Sequence, residues 1–283
     1  MNRIFLLVAC LVLFFPVSGH AWEQSMTCGE EYACKDYDPL PTYWKNPCVS
    51  FYLNEEGTSH IAKDDVIRVV KKSIEAWNHP EVSSLESHYS GLTDEDRIGY
   101  NPYIQENANI IVFRDKEWNE SPAMMALTSV IQRNSTGEIY DADIEINTAD
   151  YRYGIFEQDG SDVVDLENTL THEIGHVFGL GHSLNTKATM FPYSGTGEIG
   201  MRDLDEDDLE AIHAIYPPGQ LACQFADGYF KRPLLGMKEA PPKEDSGCRV
   251  HWGQPAGNVW HLVFGCLVLM GLIHRGRRGR SSE

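Results

Sequence analysis

The chain has 283 residues, enough for one or two domains with a real hydrophobic core. Its formal charge is -19, and both chain ends are locally basic, so the body between them is more acidic still. That balance excludes a nucleic-acid binder held by phosphate contacts and fits a soluble exported protein.

Residues 1–21 read as a signal peptide. Arg3 is the basic head, 4–17 is apolar, and G-H-A at 19–21 is a cleavage site ahead of Trp22. Residues 22–41 are loop-like. V-S-F-Y-L at 49–53 is a first strand. Residues 64–77 form an amphipathic helix with Val66, Ile67, Val70, Ile74 and Trp77 on one side. The stretch 79–107 is polar and predicted irregular. Residues 108–113 read as a buried strand, and 125–132 with 139–147 as a hairpin around N-S-T-G at 134–137.

A helix over 165–178 carries the chemistry. H-E-I-G-H-V-F-G-L-G-H at 172–182 has the pattern H-E-x-x-H-x-x-G-x-x-H. His172 and His176 are one turn apart, so both imidazoles leave the same face and make two corners of a tetrahedral zinc site. Glu173 lies one step round the helix, where it can take a proton from a water at the metal. Gly179 can end the helix in a left-handed turn, which brings His182 back as a third ligand. Three protein ligands leave one position open, the mark of a catalytic site. Downstream come A-T-M-F-P-Y at 188–193 and a closing helix over 204–216. Acidic residues begin that helix, Leu209, Ile212, Ile215 and Tyr216 stripe it, and Pro217 and Pro218 end it.

The zinc motif followed by M-F-P at 190–192 resembles the metzincin metallopeptidases, and within them the matrixins. Ser183 after the third histidine and L-x-x-D-D-x-x-x-I-x-x-I-Y at 204–216 match the matrixin pattern. The resemblance covers about 42–217. It implies an α+β, zincin-like catalytic domain, with a twisted mixed sheet, an active-site helix and a C-terminal helix. It further implies that His172, His176 and His182 bind one catalytic zinc and that Glu173 is the general base. Met190 would form the floor of the site, and Asp207 and Asp208 would brace the methionine turn. Substrate would be a peptide or protein lying antiparallel to a cleft-edge strand, for which 124–127 are the candidate. The loop 192–200 would shape the specificity pocket, and Tyr193 is read as packing.

Two family features are missing. T-C-G at 27–29 lacks the residues of a cysteine switch, and no histidine stands between His88 and His172 for a structural zinc. Calcium is a second candidate cofactor, through Asp141 and Asp143 or the acidic stretch 157–162.

Residues 218–258 read as a spacer, with Cys223 and F-A-D-G-Y-F at 225–230 packing back on the domain. The run 259–273 is apolar apart from His261, and R-G-R-R-G-R follows at 275–280. At 15 residues the run is short for a spanning helix, which needs about 20. The arrangement resembles bacterial C-terminal sorting tails of the myxosortase type, with G-C at 247–248, and implies membrane or cell-surface attachment. Cys10 leaves with the signal and Cys266 lies in the apolar tail. With Cys248 assigned to processing, Cys28, Cys34, Cys48 and Cys223 remain for two disulfides, and three pairings are open. The reading is therefore an exported, monomeric zinc endopeptidase in an extracytoplasmic location, attached or released. The alternative is a non-catalytic surface binding protein on the same fold, against which the intact Glu173 argues.

Overall fold

The computed structural model describes residues 20–27, 38–101, 108–157, 161–219, 223 and 249–255. The signal-like residues up to 19, Cys28, Cys34, Cys248, Asp159 of the candidate calcium stretch, 225–230 and the tail over 259–283 lie outside them. Among the described residues no helix is long and apolar enough to cross a membrane.

The chain runs through β1 (Cys48–Asn54), α1 (Lys63–Glu75), β2 (Glu86–Thr93), β3 (Asn109–Phe113), β4 (Met124–Gln132) and β5 (Ile139–Ile146). Two short strands, β6 (Tyr153–Gly154) and β7 (Val164–Asp165), precede α2 (Leu166–Val177), followed by α3 (Glu206–Ile215) and β8 (Arg249–Pro255). The main sheet has the order β2-β1-β3-β5-β4-β8. β1, β2, β3 and β5 pair in parallel, whereas β4 is antiparallel to β5 and to β8. This is the α+β arrangement with a mixed sheet that the sequence predicts.

β1 alternates buried and half-buried side chains because one face meets the helices. β3 is buried at all five positions, consistent with its central place. α1 lays Val66, Val69, Val70 and Ile74 into the core beside Phe51, Leu53, Trp77 and Phe178. The rings of Trp77 and Phe178 meet edge to face at 5.8 Å, and those of Phe51 and Phe178 at 6.1 Å. The hairpin turns at Gly137, whose φ is 76°. A Cβ there would overlap the Pro41 carbonyl oxygen, so the position excludes any larger residue.

The structure corrects one prediction and refines another. Residues 86–93, predicted irregular, form β2 at the sheet edge. E-S-H-Y-S-G-L-T has no apolar alternation, because an edge strand of this kind buries little beyond Ser87. The predicted spacer returns to the domain at two points. Cys223 is bonded to Cys48 at the start of β1, with the Cα atoms 5.7 Å apart, and 249–255 enter the sheet as β8.

Candidate active site

α2 is buried at every residue. A helix so enclosed must satisfy its polar groups internally. Asp165 caps it, accepting from the Asn168 N–H at 2.8 Å. Arg202 grips the same carboxylate through Nε at 2.8 Å and Nη2 at 2.6 Å, and also reaches the Phe156 carbonyl. Trp77 Nε1 donates to the Thr171 carbonyl and Trp44 Nε1 to that of Val177. Such contacts fix the helix in rotation and so aim its histidines.

Gly179 ends the helix with φ 87°, and a Cβ there would stand 2.6 Å from the Thr42 carbonyl oxygen. The left-handed turn expected at this glycine is present, and it carries the chain round to His182. The rings of His172, His176 and His182 then form a triangle, with centroids 4.8, 4.9 and 5.4 Å apart. One ligand atom from each lies within 4.8 Å of the others.

Second partners set the tautomers. His172 Nδ1 is 2.6 Å from the Thr189 carbonyl oxygen and His176 Nδ1 is 2.8 Å from that of Leu180. Each Nδ1 donates to its carbonyl, which leaves Nε2 as the lone-pair nitrogen. The two Nε2 atoms face each other at 3.1 Å. A tetrahedral zinc with Zn–N of about 2.0–2.1 Å places its nitrogens about 3.3 Å apart, so the residues fit the ion. The electrostatics agree. Burial holds the His172 imidazole down at about 4. Burial and the charge of His172 hold His182 at about 3. Burial, then its two neighbours, drive His176 well down. Three neutral imidazoles are a donor set for a metal ion rather than for a proton.

Glu173 is fully buried beside them. Its Oε2 accepts from the Thr128 hydroxyl at 2.6 Å. Its Oε1 has no hydrogen-bond partner among the described residues. Burial pushes the carboxyl up to about 8, with the Thr128 hydrogen bond acting in the opposite sense. A carboxyl held at one oxygen, unpartnered at the other and raised in proton affinity by burial is suited to taking and returning a proton.

Met190 is buried beneath α2. A Cβ on Gly175 would overlap Met190 Sδ and stand 2.8 Å from Trp77 Cζ2, so the methionine occupies the space that this glycine leaves. Asp208 ties the turn to α3. Its Oδ2 accepts from the Thr189 N–H at 2.7 Å and its Oδ1 from the Met190 N–H at 3.0 Å. The same Thr189 holds His172 through its carbonyl, so α3 orients a candidate ligand through one residue. Asp207 reaches the turn indirectly: it accepts from the Ser183 hydroxyl at 2.5 Å, and the Ser183 N–H donates to the Met190 carbonyl at 2.8 Å. Tyr193 lies edge to face against Phe191 at 5.7 Å.

Asp141 and Asp143 are buried in β5. Both oxygens of Asp143 are engaged, by the Gly99 and Ile110 N–H groups. Among the described residues only the three histidines form a group with metal-ligand spacing. Sequence reasoning missed Thr128, Asp165, Gly175 and Arg202. Asp165 has a local signal, as an N-cap aspartate whose side chain accepts from the Asn168 N–H, whereas Thr128, Gly175 and Arg202 act through neighbours distant in the chain.

The fold and the three-histidine cluster are those of a metzincin-type α+β domain. A family model described as matrixin matches residues 43–217, and the chain belongs to the matrixin family. The chain is 28% identical over 154 residues to a matrix metalloproteinase-type protein of Trichoplusia ni ascovirus 2c, covering 54% of this chain and 29% of that one. It is 26% identical over 190 residues to the interstitial collagenase of Sus scrofa, covering 64% and 34%. Over 54 residues it is 48% identical to the metalloendoproteinase 5-MMP of Arabidopsis thaliana, covering 19% and 15%. The chain thus spans at most about a third of the length of these relatives.

Proposed function

We propose that the protein is an exported zinc endopeptidase in which His172, His176 and His182 hold the ion and Glu173 is the general base. The observation that carries this reading is the pair of convergent Nε2 atoms at 3.1 Å beside a buried carboxylate with one open oxygen. Zinc bound there supplies Lewis acidity toward a water and a scissile carbonyl. The protein's own residues do the rest. Glu173 Oε1 receives the proton of the attacking water, and Glu173 later returns it to the leaving amine. Thr128 keeps the carboxylate in place through both transfers. Met190 supports the helix turn between the first two ligands. The loop 192–200 borders the pocket, pinned by Asn168, which donates to the Ser194 hydroxyl and accepts from the Met201 N–H.

Export and attachment belong to the same proposal. They rest on the signal-like residues 1–21 and on the apolar and arginine-rich stretch over 259–283, whose pattern resembles bacterial sorting tails. The assay is cleavage of casein and a mixed-peptide library by the zinc-loaded protein, with and without chelator, beside Glu173→Gln. Chelator-sensitive cleavage that falls by about 10²–10⁴ in the variant, with zinc still bound, is the expected result. Equal activity in Glu173→Gln would sink the assignment.

A further inference from the structure

β4 lies between two strands of different origin. β5 follows it through a tight hairpin. β8 comes from beyond the family match, which ends at residue 217. The β8 backbone runs antiparallel to β4, with Leu127 opposite Gly253, Thr128 opposite Trp252, Ser129 opposite His251 and Val130 opposite Val250. A register shift follows before Met124 meets Pro255.

The covered stretch adjoins the candidate active site. Thr128 is the residue whose hydroxyl is bonded to Glu173, and the backbones of β8 and α2 come within 8 Å of each other. An extended peptide that pairs with this edge in order to bring a peptide bond to Glu173 needs the same row of β4 amides and carbonyls. A sheet edge pairs with one strand at a time, because each outward N–H and C=O is spent on one ladder partner.

We propose that residues 249–255 are an intramolecular occupant of the peptide-docking edge, and that an external peptide gains access only when β8 leaves β4. The inference rests on the peptidase reading for its consequence, but the occupancy itself is a property of the β4–β8 ladder. The tether makes β8 a strong competitor. Cys223 is bonded to Cys48 on β1, so a detached β8 remains on a chain fixed to the same sheet. An occupant linked in this way competes at an effective concentration of about millimolar. The apparent Kd of an external peptide is then divided by the fraction of molecules in which the edge is open.

The test uses the full chain, zinc-loaded and carrying Glu173→Gln so that nothing is cleaved. The probe is a fluorescein-labelled peptide with the sequence R-V-H-W-G-Q-P of 249–255. Binding is measured by anisotropy with and without the pair His251→Pro and Trp252→Pro. Adjacent prolines remove an N–H facing β4 whichever of the two residues points that way. Tighter binding to the proline variant by about tenfold or more is expected, since a mostly closed edge hides at least that factor. A second form carries a site-specific protease sequence inserted between Cys223 and Arg249; cutting it and diluting should produce the same gain. Equal affinity before and after both changes, or no binding in any form, overturns the inference and leaves β8 as a simple edge cover. With Glu173 restored, the proline pair should lower KM for an internally quenched peptide and leave kcat nearly unchanged. A gain in binding without any hydrolysis counts against the peptidase and not against the occupancy.

Discussion

The Thr128 hydroxyl stands 2.6 Å from Glu173 Oε2, joining the centre of β4 to the one carboxylate in the histidine cluster. The same oxygen atom lies 3.1 Å from the Glu173 carbonyl, so side chain and main chain of Glu173 are both referenced to the sheet. Thr128→Val keeps the shape and removes the donor. A loss of about 10–100-fold in kcat is expected, with zinc content unchanged. Metal analysis beside steady-state kinetics checks this, and a variant with full kcat would show the hydroxyl to be idle.

Gly175 should tolerate no side chain. Gly175→Ala drives a methyl group into Met190 Sδ and to 2.8 Å from Trp77 Cζ2. Met190 can yield at its flexible end, but the indole cannot. The expected cost is about 1–3 kcal/mol, with a further loss of zinc affinity because His172 and His176 flank the displaced turn. Thermal melts with and without zinc measure both effects.

Asp115 couples stability to acid. Burial works against its charge, but the Thr148 hydroxyl, the Ser59 N–H and the Thr58 hydroxyl outweigh that and hold the carboxyl down at about 2. The native pKa lies below the unfolded one, so the unfolded chain binds the proton first and stability falls with falling pH. The contribution is complete above about pH 4 and disappears as pH falls through about 2. Asp115→Asn should be less stable than the parent at pH 5 and show a flatter curve between pH 4 and 2. Urea unfolding across that range is the measurement, and parallel curves would contradict the assignment.

The Cys48–Cys223 bond spans 175 residues of sequence. Cross-linking so long a loop removes much conformational freedom from the unfolded chain. Replacing both cysteines by serine should cost about 2–5 kcal/mol. Denaturant midpoints for the parent, the double variant and the reduced parent test it. The reduced parent should behave like the variant.

The chemistry of this protein is legible in its sequence because it is local. An i, i+4 histidine pair, a carboxylate one step round and a glycine that releases the helix are consequences of helix geometry, and they appear within 172–182. The amphipathic period of α1, the apolar–polar alternation in the sequence of β5 and the acidic start of α3 are legible for the same reason. What surrounds that chemistry was decided in three dimensions. β2 could not be read, because an edge strand with little to bury carries no hydrophobic alternation. The pairing of Cys48 with Cys223 depended on which cysteines the sheet brought together. Asp207 and Asp208 are adjacent in sequence, yet α3 turns one toward Ser183 and the other toward the backbone of Thr189 and Met190. Thr128 meets Glu173 across 45 residues, and Arg202 meets Asp165 across 37. β8 lies along β4 although nothing in R-V-H-W-G-Q-P names a partner, because a strand's ladder is built from backbone groups that every sequence supplies.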